Sequence, residues 1–294
     1  MSDTCSNVQG YVDPNWPRPD DDGSSCIIIY GYVPSFALGV LGVVLFTTAL
    51  VAHSYLLSRY RTWYFSTVIV GTVMEIIGYI FRILASKKNP YSVAYFVGQY
   101  FCIVVAPVFY SAAIYTLITP MTKRIGREYA PLSPKVILWT FIICDIIATT
   151  IQMTGAGLIG RAYSDGKDPT TPNNILLAGL AFQVFSFAVF IFCLLFFLVR
   201  SRNTTDRHFK IFSTAVLVAT LAVYLRTCIR LAETAEGLLE FLSTHEAIFG
   251  CLEFLPIVIA VYIFVYWHPG RWLGSESIHK KTGKSELEVS QLPR

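Results

Sequence analysis

The sequence predicts an all-α membrane protein, a seven-transmembrane-helix bundle with its N-terminus outside and its C-terminus in the cytoplasm. Three observations carry this reading. The 294 residues are 54% hydrophobic and only 14% charged, whereas soluble domains carry about a quarter charged residues. Seven apolar stretches are each long enough to cross about 30 Å of hydrocarbon as a helix. Lysine and arginine are distributed very unevenly between the two sets of connecting loops. Mean hydropathy is +0.55.

The opening residues MSDTCSNVQG lack the basic start and short apolar core of a cleaved signal peptide. Residues 1–32 are therefore expected to be an extracellular segment, with the first apolar stretch serving as a signal anchor. The bundle is expected to occupy 33–268. Its first span, 33–57, stops before Arg59 and Arg61, and the second, 64–84, before Lys87 and Lys88. The third, 95–119, ends ahead of Lys123, Arg124 and Arg127. Lys135 opens the fourth, 135–159, which closes at Arg161. The fifth, 175–199, runs into Arg200 and Arg202. The sixth, 211–231, follows Arg207 and Lys210, and the seventh, 246–267, ends at Trp267-His268-Pro269. The polar connections are short, as suits antiparallel neighbours in one bundle. Residues 269–294 are expected to be a disordered cytoplasmic tail.

Orientation follows from the basic residues. The loops after spans 1, 3 and 5, together with the tail (Arg271, Lys280, Lys281, Lys284, Arg294), hold fifteen. The opposite side holds five: Arg18, Lys87, Lys88, Arg161 and Lys167. The fifteen mark the cytoplasmic face, where Trp63, Trp139, Trp267 and Trp272 also gather. Asn203-Thr204-Thr205 fits the glycosylation pattern but is expected unmodified on that side. Cys5 and Cys26 are the two cysteines of the outer segment. They are either joined as a disulfide in an oxidising exterior or present there by chance. Cys102, Cys144, Cys193, Cys228 and Cys251 lie in spans and are expected to be small packing residues.

A charge at the centre of a membrane helix costs about 2.5–3.5 kcal/mol, so the placement of such charges is the main functional evidence. Glu75 and Arg82 lie seven apart in span 2, and Asp145 and Gln152 seven apart in span 4. Arg226, Arg230 and Glu233 follow at four and three in span 6, and Glu246 and Glu253 at seven in span 7. Each spacing puts the group on one helix face. Glu75 and Asp145 fall near the midplane; Arg82, Gln99, Gln152, Arg226 and Glu253 fall in the outer half, with Arg230, Glu233 and Glu246 at the outer rim. The expectation is a polar vestibule open to the outside and narrowing towards the midplane. These ten residues are the candidate substrate-binding and translocation set. The competing structural reading has the arginines forming ion pairs that only fix helix register. Gln183 is expected to make a helix–helix hydrogen bond. His53 and His268 are expected exposed at the cytoplasmic interface, and Pro107 and Pro256 to kink spans 3 and 7.

No span carries two histidines, so neither a bis-histidine haem nor a metal site is expected, and no cofactor is called for. Span 7 has no lysine for a Schiff base. Gly283-Lys284-Ser285 lacks the upstream glycine of a phosphate loop. With no visible nucleophile–base pair, an enzyme is not expected, and nothing points to nucleic acid.

Glu75-Ile-Ile-Gly78-Tyr79-Ile-Phe-Arg82 resembles the span 2 signature of the fungal lipid-translocating exporter family, seven-span proteins linked to aminocholesterol resistance and sphingoid long-chain-base release. Ala106-Pro107, Ala112-Ala113 and Tyr115 resemble its span 3, and Asp145, Gln152, Gly155 and Gly157 its span 4. Arg226, Arg230, Glu233, Gly237, His245 and Glu246 resemble its spans 6 and 7, and His268-Pro269-Gly270 its closing motif; Glu253 stands where an aspartate is expected. The match covers about 75–270. It implies a plasma-membrane translocator or exporter of amphipathic lipids, such as sphingoid long-chain bases or sterol-like toxicants, that confers resistance. Its partners would be membrane lipids or amphipathic small molecules. A cationic amine would meet Glu75, Asp145, Glu246 or Glu253, and the acidic outer surface (Asp20, Asp21 and Asp22 among others) would favour cations. The alternative is a seven-span receptor or lipid-stress sensor signalling through its cytoplasmic loops, although Asp-Arg-Tyr and Asn-Pro-x-x-Tyr motifs are missing. A membrane-embedded lipid-modifying enzyme is a third reading.

Overall fold

The computed structural model describes residues 11–14, 16, 24–164, 168, 170–237 and 245–273. Among them seven helices are long and apolar enough to cross a membrane, and they overlap all seven expected spans. The chain is a multi-pass membrane protein. The helices are α1 (Phe36–Tyr60), α2 (Thr67–Lys87), α3 (Val93–Ile125), α4 (Pro134–Ser164), α5 (Thr170–Ser201) and α6 (Arg207–Glu236). The seventh, α7, opens as Glu246–Ile248, passes through a π-helical segment Phe249–Phe254 and continues as Leu255–Tyr266. A short α8 (Pro269–Trp272) follows. Helices α3 to α6 outrun the expected spans because a helix does not stop where hydrocarbon ends; its polar turns continue into the interface.

Two of the starts have clear local causes. Ser35 caps α1 by accepting from the Leu38 nitrogen, and Asp206 caps α6 by accepting from the Phe209 nitrogen, each satisfying an otherwise orphaned N–H. Pro107 lies inside the unbroken α3, together with Pro120. Pro256 stands at the first turn of Leu255–Tyr266, directly after the π segment. The missing proline N–H and the wide turn occur together, a frequent arrangement at functional positions.

Each helix packs against its neighbour in sequence, and α7 returns to α1, closing the ring. Helix α3 is the most deeply buried and also touches α6 across the bundle. Membrane helices gain little from hydrophobic exclusion against one another, so close approach at small residues drives their packing. A Cβ placed on Gly155 of α4 would lie 2.6 Å from the Leu176 nitrogen of α5, and one on Gly179 of α5 would lie 3.0 Å from the Gln152 nitrogen. The α4–α5 seam therefore requires both glycines.

The ends of the bundle differ. At the C-tail end His53 and His268 are buried, not exposed as expected from their position near the interface. Their ring centroids are 6.4 Å apart, among Tyr60, Phe65 and Phe264. The turn into α8 folds back over α1 and places His268 beneath it. The expected tail thus begins as a helix that docks on the bundle, with Arg124 Nη1 donating to the Trp272 carbonyl at 2.8 Å; residues 274–294 lie outside the described set. Of the span cysteines only Cys102 is buried, and Cys251 is exposed, so the expected packing role does not extend to Cys251.

The glycine seam makes a paired prediction. Gly155→Ala should destabilise the protein by about 1–3 kcal/mol through overpacking. Gly157→Ala, whose added methyl meets nothing within 4 Å, should be neutral or raise stability by up to about 1 kcal/mol through helix propensity. Thermal unfolding of the two variants in detergent checks the contrast.

Candidate functional site

The heptad spacing in α2 turns Glu75 and Arg82 to the same interior face, where they are 1% and 0% exposed. The α6 ladder aims Arg226, Arg230 and Glu233 at α7, whose π segment carries Glu253. Glu253 is the hub. Its Oε1 accepts from Arg230 Nη1 at 2.9 Å, and its Oε2 lies 3.6 Å from Arg226 Nη2. The same Arg230 Nη1 reaches Glu233 Oε2 at 3.0 Å, while its guanidinium lies 4.4 Å from the centre of the Tyr100 ring. Arg226 Nη2 also donates to the Ile103 carbonyl of α3 at 2.7 Å. Glu75 lies within electrostatic reach of Arg226 and Glu253, and its Oε1 is buried without a hydrogen-bond partner. Three carboxylates thus face two guanidiniums. Fully ionised, the cluster carries one uncompensated negative charge.

About two helical turns nearer the N-terminal end, Arg82 Nη2 meets Glu246 Oε1 at 2.5 Å and donates to the Tyr32 hydroxyl at 3.1 Å. Phe249 lies against the same guanidinium, its ring centre 4.4 Å away. Glu246 Oε1 also accepts from the Ser35 nitrogen at 2.8 Å. The residues before α1 therefore cover the charged cluster. Tyr30 donates to Gln99 Oε1 at 2.9 Å, Ser24 bridges to Ser92, and Ile28 and Tyr91 are fully buried beneath the segment. Burial raises both phenols, Tyr30 and Tyr32, above the ordinary tyrosine range, with Arg82 opposing the shift, so both remain neutral at physiological pH. Cys26 is disulfide-bonded; Cys5 lies outside the described residues.

Not every candidate joins this cluster. Asp145 of α4 faces α3, where Oδ2 accepts from Ser111 at 2.8 Å and from Tyr115 at 3.0 Å; its Oδ1 is buried and unpartnered. No ion pair to it occurs among the described residues. Gln152 donates to Gln183 Oε1 at 2.8 Å across the glycine seam, the helix–helix bond expected of Gln183. The α4 stripe is therefore separate from the α2, α6 and α7 stripes. The open vestibule is also corrected. Arg82, Gln99, Arg226, Glu233 and Glu253 are each 6% exposed or less, because opposite charges at this depth pair instead of lining a water-filled funnel. Sequence reasoning passed over Tyr30, Tyr32, Ser35, Tyr100 and Ser111. The alternating tyrosines just before the first span were the available signal.

The stretch of chain that builds this cluster also matches a known family. Residues 68–276 match the family model described as RTA1 like protein. The chain belongs to the RTA1-like family. The matched region contains every charged residue of the cluster. Among relatives of this RTA1-like chain, the sphingoid long-chain base transporter RSB1 of Saccharomyces cerevisiae is 28% identical over 92% of this chain and 80% of its own length. Protein RTM1 of the same organism is 28% identical over 66% of this chain and 64% of its own length. Protein RTA1 is 24% identical over 82% and 84%. No solved structure matches.

The network ranks its members. Arg230→Leu leaves Glu233 and Glu253 without their shared donor and should cost about 3–5 kcal/mol. Tyr32→Phe removes one hydrogen bond and should cost about 1 kcal/mol. Detergent-solubilised unfolding that ranks the two the other way would overturn the assignment of Glu253 as hub.

Proposed function

We propose that this protein translocates cationic amphipathic lipids across the membrane, with sphingoid long-chain bases as the substrate class. The observation that carries the reading is the Glu75 carboxyl, buried with Oε1 unpartnered in a cluster that holds one more carboxyl than guanidinium group, in a chain related over nearly its whole length to a sphingoid long-chain base transporter. A protonated amine pairs with the surplus carboxyl once it is ionised, and apolar helix faces accept the chain. Glu75 is the amine's first partner, since its Oε1 lacks any other. Asp145 is a second carboxylate, reached separately on the α3–α4 seam. Buried carboxylates of this kind also exchange protons, which makes proton coupling part of the reading.

The basic asymmetry of the loops supports an N-terminus outside and a C-tail in the cytoplasm. Export from the plasma membrane, and resistance to toxic amphiphiles including sterol-like ones, follow from the same reading. Access to the cluster requires Tyr32 and Glu246 to leave Arg82. One feature favours a second reading, a lipid sensor: the N-terminal segment touches both Arg82 and Glu246 and so couples the exterior to α2 and α7.

Liposomes containing only the purified protein separate the two. A translocator moves a labelled sphingoid base between leaflets without other proteins. Glu75→Gln and Asp145→Asn should each reduce that flux at least tenfold while leaving the helical content intact. Undiminished flux in the double variant would overturn the proposed roles, and no flux in the unmodified protein would favour the sensor.

A further inference from the structure

Two grooves on the lipid-facing surface meet at one residue. The first, of about 380 Å³, runs between α6 and α7 and is lined by Lys210, Thr214, Val218, Ile263 and Trp267. The second, of about 350 Å³, runs between α5 and α6 and is lined by Arg202, Thr205, Lys210, Thr214 and Leu217, among others. Lys210 and Thr214 stand on the ridge of α6 between them and belong to both. From Lys210 to Val218 the helix rises about 12 Å, most of the roughly 15 Å depth of one leaflet's hydrocarbon. Each groove also falls within the range of about 300–1,000 Å³ typical of ligand sites.

The polar end of this ridge is cationic and uncompensated. Arg202 and Lys210 have no ion-pair partner among the described residues. The nearest acid in sequence, Asp206, is taken: it caps α6 and pairs with Arg124 at 3.2 Å. The turn itself is fixed, since Thr205 donates to the Ser201 carbonyl and Tyr129 shares a hydrogen bond with Thr204.

We infer that α6 is straddled at its C-tail end by one anionic phospholipid, its phosphate held by Lys210 and Arg202 and its two acyl chains laid in the two grooves. Charge complementarity selects the headgroup, and the paired grooves select two tails over one. The ligand comes from the surrounding leaflet, which on the basic side of a membrane is the one rich in anionic lipid. This site lies at the opposite end of the bundle from the Arg–Glu cluster, and it stands whether or not the chain translocates sphingoid bases.

Native mass spectrometry of the full chain in neutral detergent, titrated with phosphatidylserine, phosphatidylcholine, lysophosphatidylserine or inorganic phosphate alone, tests the inference. One phosphatidylserine should remain bound at concentrations where phosphatidylcholine and the single-chain lipid have dissociated, and phosphate alone should not compete. The preference should shrink as salt is raised. Replacing both cations (Arg202→Ala with Lys210→Ala) should weaken phosphatidylserine binding roughly tenfold or more, whereas Arg127→Ala, a basic residue outside both grooves, should not. Val218→Trp, which fills one groove and keeps both charges, should also weaken it. Equal retention of phosphatidylserine and phosphatidylcholine, or an undiminished preference in the double variant, would overturn the site; displacement by phosphate alone would reduce it to a simple anion site.

Discussion

A guanidinium inside a hydrocarbon slab has to find its counter-charge within the bundle. That constraint fixes how α2, α6 and α7 are rotated. Glu253 can serve Arg226 and Arg230 together only if the face of α7 carrying it points at α6. Arg82 can meet Glu246 only if α2 and α7 approach at the same end. Losing Glu253 or Arg230, the members with two partners each, leaves a charge buried and unpaired, which costs several kcal/mol, far more than the net contribution of an intact pair. The network is therefore weak as a source of stability and strong as a specification of register. It also holds one more carboxyl than guanidinium group, a surplus that register alone does not require.

Among the described residues, the opposite side of the bundle achieves specificity without ion pairs. Along α4 and α5 two glycines bring the backbones together and a glutamine pair bonds across the contact. Asp145 receives two hydroxyl donors in place of a cation. Hydrogen bonds between membrane helices are modest, of order 1 kcal/mol, so this seam depends on close packing.

The seven spans were legible because hydrocarbon imposes a minimum apolar length, a constraint that acts on each segment alone. The stripes were legible for a similar reason: a spacing of seven fixes the face of a helix before its neighbours are known. The partners were not. Whether Glu75 or Glu246 meets Arg82 depends on relative depth and rotation, and a shift of one residue changes both. His53 and His268 were misjudged because depth along the membrane normal is not burial; a short helix folding back covers residues that simple threading leaves at the surface. The N-terminal segment was opaque because its order comes from side chains that reach the bundle, Tyr30 to Gln99 and Tyr32 to Arg82, and the alternation of two tyrosines is too short a pattern to name their partners.

The asymmetry between the ends bears on how such a bundle opens. At the C-tail end the closing layer is aromatic, with Phe65, Phe264 and His268 in edge contact, and can separate without stranding a formal charge. At the N-terminal end separation means pulling Arg82 from Glu246 and Arg230 from Glu253 and Glu233 in a low-dielectric interior. Water entering from the mouth offsets part of that cost by solvating the charges. A ligand with its own positive charge offsets more, because it pairs with the carboxylate and leaves only the displaced guanidinium to be hydrated. An apolar ligand offsets none of it. Under the proposed translocation, opening at this end is coupled to cations, and the coupling resides in the pairing of α6 with α7, not in the size of a pocket.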